Sequence, residues 1–151
     1  MSPQSKKRVL FVCVGNACRS QMAEGFARAY GDDCLIAASA GVSPAFGVMP
    51  DTMRAMSEKN IDLKEHFPKS VRHLARAEFD YVINMSGSFL PGNFGAARLI
   101  DWDVPDPVAM SYEDHCTIRD EIERRVMALI MELRRAESPR LRGQGSGRMP
   151  L

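Results

Sequence analysis

A short run of β-branched and aromatic residues, Arg8-Val9-Leu10-Phe11-Val12-Cys13-Val14, breaks at Gly15-Asn16 and gives way within a few residues to a helical period. That junction constrains the fold more than any other feature of the chain. The run is too brief for a helix and apolar on both faces, as a strand buried in a parallel sheet must be. From Ser20 onward Met22, Phe26 and Tyr30 recur at every fourth position as far as Gly31, which predicts a helix closed by a glycine. Strand, tight loop and helix in that order predict a parallel sheet with its loops gathered at the C-terminal strand ends.

The same alternation continues. Cys34 to Ala40 reads as a second strand ended by Gly41, and Pro50-Asp51 opens a helix that carries Met53 and Met56 to about Lys59. Phe79 to Met85 and Arg98 to Trp102 read as further strands, separated by a Gly/Pro/Asn-rich loop from Gly87 to Gly95. Ile118, Ile122, Val126, Ile130 and Leu133 form one apolar stripe, predicting an amphipathic helix of about twenty residues. The fold class expected is α/β: a small parallel sheet of about four strands, helices on both faces, and an anion-binding loop between the first strand and the first helix. Its 151 residues make one domain. Residues 1–8 read as a basic lead, 9–136 as the folded body and 137–151 as a flexible Arg/Gly/Pro-rich tail.

Charge and cysteine usage narrow the setting. Basic residues number 20 and acidic ones 19, with the excess of positive charge at the two ends, so the balance makes no case for nucleic acid. No apolar run approaches the length of a membrane span, and Val9 to Val14 lacks a following small-residue cleavage site. Four cysteines without a signal segment suit a reducing compartment, so the expected localisation is cytoplasmic, with no membrane and no nucleic acid among the partners. His66, His73 and His115 have no metal-ligand spacing with the cysteines, so no metal site and no cofactor is expected. Cys34 and Cys116, with Met53, Met56, Met127 and Met131, read as core filling.

The loop Cys13-Val14-Gly15-Asn16-Ala17-Cys18-Arg19-Ser20 carries the chemistry. It places a thiol at a strand end and an arginine six positions later, where a helix begins. Such a loop curls so that successive N–H groups face inward as an anion nest, and the helix N-terminus adds roughly half a positive charge. Arg19 contributes a planar pair of donors, and Gly15 permits backbone angles that a Cβ would hinder. A cation at a helix start opposes the helix dipole unless an anion is bound, which is itself an argument for an oxyanion. The same field favours the thiolate of Cys13, a nucleophile aimed at a bound tetrahedral centre.

This octet resembles the signature loop of the low-molecular-weight protein tyrosine phosphatase superfamily, Cys-x-Gly-Asn-x-Cys-Arg-Ser. The resemblance continues through Ser39-Ala40-Gly41, Pro50-Asp51, Ile61-Asp62-Leu63 and Phe79-Asp80-Tyr81-Val82-Ile83 to Asp106-Pro107, covering about residues 8 to 135. It implies a cysteinyl-phosphate intermediate on Cys13, oxyanion binding by Arg19 and the backbone from Val14 to Ser20, and leaving-group protonation by Asp106. Bottom-up, an alkoxide or phenoxide leaves poorly without a proton donor, and Asp106 between Pro105 and Pro107 is stiffly held. Asp103 is the second choice for this role, and Asp101 a third. The resemblance further implies that Ser20 hydrogen-bonds the Cys13 sulfur and that Asn16 braces the loop with Ser39 and His66.

Val108 and Ala109 follow Asp106-Pro107, where the eukaryotic-type phosphatases carry aromatic residues, and the phrase Trp102-Asp103-Val104-Pro105-Asp106-Pro107-Val108 looks more like the arsenate reductase branch. The thioredoxin-coupled reductases, however, carry two further cysteines after the third strand, and this chain has Ser86 where the first is expected. Serine cannot enter a disulfide cascade. The primary expectation is therefore a cysteine-dependent phosphatase acting on a phosphorylated protein or small phosphate monoester. The alternative is an arsenate reductase completed by an external small thiol of the glutathione or mycothiol type, and a second alternative is an oxyanion-binding module without turnover. Cys18 is a possible redox partner of Cys13 in a protective disulfide.

Overall fold

The computed structural model describes residues 6–74 and 76–136. Four strands, β1 (Lys7–Cys13), β2 (Leu35–Gly41), β3 (Tyr81–Asn84) and β4 (Arg98–Asp101), form one parallel sheet in the order β2-β1-β3-β4. The helices are α1 (Arg19–Gly31), α2 (Pro50–Ser57), the single turn α3 (Val71–Leu74) and α4 (Tyr112–Ala136), with a 3-10 turn at Pro107–Ala109. Among the described residues no helix is long and apolar enough to cross a membrane.

Alternation along β1 sorts the core into two layers. Val9, Phe11 and Cys13 face α1 and α4, joined there by Met22, Phe26, Ile83, Ile122, Val126 and Ile130. Leu10 and Val12 face the other way, against Ala40, Val71, Phe79 and Val82. Helices thus lie on both faces, but unequally: among the described residues the second face has only α3, helped by Leu90, Phe94 and Ala97 from the long loop after β3. In this strand order the chain departs from central β1 in one direction to β2 and in the other to β3. The C-terminal end of β1 is therefore the switch point at which such sheets bind ligands.

Several expectations are corrected. The strand begins at Lys7, inside the segment read as a basic lead, because Lys7 pairs with Leu35 and Arg8 is tied to Glu78 and Asp80. It ends at Cys13, leaving Val14 in the loop. Gly31 lies within α1, capped by Asp32 in right-handed geometry, and a Cβ there would meet the Ile130 side chain at 2.8 Å; its role is close helix packing, not left-handed termination. Helix α4 is longer than its apolar stripe, and Met131 on it is half exposed. The predicted tail at 137–151 lies outside the described residues, and Cys116 is only partly buried, with the Arg119 guanidinium donating to its sulfur.

The glycine that shapes the site is Gly41 at the end of β2. A Cβ on it would sit 2.7 Å from the Val14 carbonyl oxygen and 2.8 Å from the Asn16 nitrogen, both backbone atoms of the loop. Gly41→Ala is expected to cost about 1–3 kcal/mol in urea denaturation through overpacking. Gly47→Ala, where nothing lies within 4 Å of the added carbon, should leave the midpoint nearly unchanged.

Candidate active site

The loop from Val14 to Cys18 takes its shape from the chain that follows β2. The N–H groups of Val42, Ser43, Ala45 and Met49 donate to the carbonyls of Cys13, Val14, Gly15 and Ala17, at 3.1, 2.8, 3.0 and 3.1 Å. The loop's carbonyls are thereby held outward. Among the described residues the N–H groups of Gly15 to Cys18 have no corresponding backbone acceptor, as an anion nest requires. The residue in the left-handed region is Asn16, at φ 52°, and not Gly15, whose added Cβ would make only ordinary contacts. Asparagine tolerates that conformation better than most side chains.

Asn16 earns its place through hydrogen bonds. Its buried Nδ2 donates to Ser20 Oγ at 2.7 Å and Ser39 Oγ at 3.0 Å, and its Oδ1 accepts from the Lys69 N–H at 3.0 Å. Ser20 Oγ in turn lies 2.9 Å from Cys13 Sγ, which also faces the Ser20 N–H at 3.4 Å in the first turn of α1. Ser39 Oγ donates to Glu24 Oε1 at 2.5 Å, and the Arg28 guanidinium closes on Glu24 Oε2 at 2.6 Å. His66 Nδ1 pairs with Gln21 Oε1 at 2.9 Å, while Gln21 Nε2 donates to the Asn16 and Phe67 carbonyls. The structure thus joins the predicted supporting residues Asn16, Ser20, Ser39 and His66 in one network behind Cys13. Gln21 and Glu24, absent from the sequence reading, are members of it. Glu24 follows Ser20 by one helical turn, so a carboxylate on the stripe facing the loop was the available signal.

Arg19 is 5 % exposed. Its Nη1 donates to the carbonyls of Met85, at the end of β3, and Val104, at 2.5 and 2.9 Å. Its Nη2 lies 3.4 Å from Asp106 Oδ2, and its Nε has no acceptor among the described residues. A buried guanidinium with an idle donor is a costly arrangement that an oxyanion would complete. Asp106 Oδ1 also accepts from the Val108 N–H, opening the 3-10 turn. Asp101 and Asp103 make no ion pair with Arg19, which separates Asp106 from the other two candidates.

Cys18, buried one residue before α1, donates from Sγ to Met49 Sδ at 3.0 Å. Burial pushes its thiol up to about 11, against the opposing hydrogen bond from Thr52 and with a further upward push from Cys13. Thr52 Oγ1 lies 2.8 Å from Nε2 of the fully buried His115, whose Nδ1 has no partner among the described residues. This Thr52–His115 link between α2 and α4 is a second polar feature that the sequence reading did not single out. Among the described residues, no group of His, Cys, Asp and Glu is placed to hold a metal ion.

The profile of the family described as low molecular weight phosphotyrosine protein phosphatase matches residues 8–139. The chain is 33% identical over 130 residues to a glutaredoxin arsenate reductase of Synechocystis sp., an alignment covering 84% of this chain and 98% of that one. Among solved structures it is similar to an arsenate reductase in the phosphate binding state, with a TM-score of 0.78, 33% identity and coverage of 84% and 98%. It is also similar to the low molecular weight protein tyrosine phosphatase from T. tengcongensis, with a TM-score of 0.69, 28% identity and coverage of 85% and 100%.

Burial holds both His115 and His66 below their ordinary values, in each case opposed by nearby carboxylates. Both are thus kept neutral by the fold, so stability is present above about pH 6.5 and is lost as the pH falls through their lowered values. Urea midpoints are expected to drop between pH 7 and pH 5.5, and His115→Gln to make that drop smaller. An equal drop in wild type and variant would remove His115 from the effect.

Proposed function

The chain belongs to the low molecular weight phosphotyrosine protein phosphatase family, and on that premise we propose that it is a cysteine-dependent phosphatase hydrolysing phosphate monoesters. One observation carries this reading: a strand-end thiol, a buried guanidinium with an unused donor and a carboxyl 3.4 Å from that guanidinium share one edge of the sheet. The thiolate of Cys13 attacks phosphorus, forming the S–P bond as the P–O bond to the leaving group breaks. Asp106 gives its proton to the departing oxygen. Its carboxylate then takes a proton from water, which attacks phosphorus, releases inorganic phosphate and restores the Cys13 thiolate. The N–H groups of the loop, α1 and Arg19 hold the oxygens on which charge develops. Ser20 donates to the sulfur, and Asn16, braced by Ser39 and Glu24, fixes the loop. A peroxide would oxidise the Cys13 thiolate to the sulfenic acid, from which the Cys18 thiol, its neighbour in the same loop, displaces water to form a disulfide that suspends activity.

A second reading, arsenate reduction with an external thiol, is favoured by the end of the acid loop. No aromatic residue stands directly after Pro107; Val108 and Ala109 do, and Val108 is exposed. The chain's own thiols do not supply a cascade, since the four cysteines stand at 13, 18, 34 and 116 and the loop after β3 carries none. Its Ser86 hydroxyl is engaged in a turn with Asn84 and Ser88.

Reduced protein is expected to hydrolyse para-nitrophenyl phosphate, with turnover lost in Cys13→Ser and Arg19→Ala. Asp106→Asn should slow phenyl phosphate by about 10²–10⁴-fold but para-nitrophenyl phosphate, whose leaving group needs little protonation, far less. Equal losses on both esters would take Asp106 out of the acid role. Failure of the wild type on para-nitrophenyl phosphate together with reduction of arsenate by added glutathione would transfer the assignment to the second reading. Phosphate binding without either activity would make the chain an oxyanion-binding module.

A further inference from the structure

Two fully buried polar side chains meet beside Cys18: Thr52 in α2 and His115 in α4, with Thr52 Oγ1 2.8 Å from His115 Nε2. Their neighbours on the buried faces are mostly apolar, Ala55 and Met56 on α2 and Ile118 and Ile122 on α4. An apolar side chain in place of His115 would avoid the cost of a buried ring nitrogen, Nδ1, that has no partner among the described residues. That orphan decides the tautomer. A buried N–H without an acceptor is rarer than a buried acceptor left short of a donor, so the proton sits on Nε2 and is donated to Thr52 Oγ1. With its oxygen accepting from the imidazole, the Thr52 hydroxyl directs its own hydrogen to its other side-chain partner, the Cys18 sulfur. Cys18 in turn donates to Met49 Sδ at 3.0 Å. Donors thus run one way, from His115 through Thr52 to Cys18.

We propose that the Thr52 hydroxyl stabilises Cys18 as a thiolate for its attack on oxidised Cys13, and that His115 is the positioning residue that aims this hydroxyl at the sulfur. The proposal rests on the Cys13–Cys18 disulfide of the reading above and deepens it. Peroxide takes the Cys13 thiolate to the sulfenic acid and is itself reduced to hydroxide. Cys18 then gives up its proton, its electron pair forms the S–S bond with Cys13, and the S–O bond breaks to release hydroxide, which the proton converts to water. Burial makes the loss of that proton hard. It raises the Cys18 thiol to about 11, and the Thr52 hydrogen bond is the larger of the two influences that oppose it, ahead of Arg19, while Cys13 and Asp106 push the other way. His115 itself faces Asp51, in the first turn of α2, and Asp106, but burial holds it below its ordinary value. A neutral imidazole there acts as a fixed donor and not as a store of protons.

Cys18 competes with further peroxide, which carries the Cys13 sulfenic acid on to the sulfinic acid. Tryptic cleavage after Arg8 and Arg19 releases residues 9–19 as one peptide holding both thiols. Mass spectrometry after hydrogen peroxide treatment therefore reads the outcome without any assay of turnover: the disulfide is two hydrogens lighter, and the sulfinic acid is two oxygens heavier, placed on Cys13 by fragmentation. Thr52→Val/His115→Leu removes both polar partners together, which a fold tolerates better than orphaning one of them. Each tenfold loss of thiolate is offset about threefold by the greater nucleophilicity of a more basic sulfur, so the sulfinic-to-disulfide ratio should rise about three- to tenfold in this variant. Thr52→Ser, which keeps the hydroxyl, should restore the wild-type ratio, and His115→Leu alone should raise it by less than the double change. An unchanged ratio in the double variant, or an equal rise in Thr52→Ser, would overturn the proposal, and an unchanged ratio in His115→Leu would remove His115 from it. Absence of the disulfide in wild type would overturn the redox step itself. The donor chain is then read in Cys13→Ser by labelling Cys18 with methyl methanethiosulfonate, a thiolate reagent: slower labelling on adding the double change, restored by Thr52→Ser, supports the hold of Thr52 on Cys18, and equal labelling overturns that as well.

Discussion

Burial of one guanidinium governs the edge of the sheet where the site lies. Taking a cation out of water costs several kcal/mol unless its donors are matched. Arg19 finds two carbonyls on one side and a single carboxylate at 3.4 Å on another, with Nε unmatched. Those two carbonyls belong to the end of β3 and to the stem of the loop that carries Asp106, so the same contacts that lower the cost of burial also bring three separate segments into register. The protein is in this sense folded around a position that needs negative charge. Oxyanion affinity is then a consequence of the packing and is not an addition to it.

The surroundings of Cys13 are imposed from behind in a similar way. Cys13 is held by Ser20, Ser20 by Asn16, Asn16 by Ser39, and Ser39 by the buried carboxylate of Glu24. Each bond in this chain satisfies a buried polar atom, and none depends on bulk solvent. Such a series fixes rotamers at every step, which under the proposed phosphatase reading matters because a sulfur displaced from its line of attack loses rate steeply. The left-handed backbone of Asn16 is the local strain that this network offsets.

Much of this was legible in the sequence because the decisive signals are local. Apolar runs of strand length alternating with a helical period predicted four strands, their parallel order and the loop between β1 and α1, and the octet from Cys13 to Ser20 carried its own chemistry. The misses share a cause in distance. Gly15 looked like the residue needing conformational freedom, yet the constraint falls on Asn16 and on Gly41, some two dozen residues later, which no local pattern reveals. Glu24 and Gln21 resembled ordinary polar positions of an amphipathic helix until the loop was laid against them. Helix α3 and the 3-10 turn are too short for a period to register. Asp106, Asp103 and Asp101 were close competitors as letters, and only the separation from Arg19 distinguishes them.

The dependence of the loop on β2 and the segment after it has a consequence for the life of the chain before it is folded. Until residues 39 to 49 are paired with residues 13 to 17, nothing turns the loop's carbonyls outward or supplies Asn16 with Ser39. A nascent or partly unfolded molecule therefore lacks both the inward-facing N–H groups of the loop and the hydrogen-bonded surroundings of Cys13. The cradle is thus assembled only when the first βαβ unit and the segment after it have come together, so its integrity reports on the folding of that half of the chain.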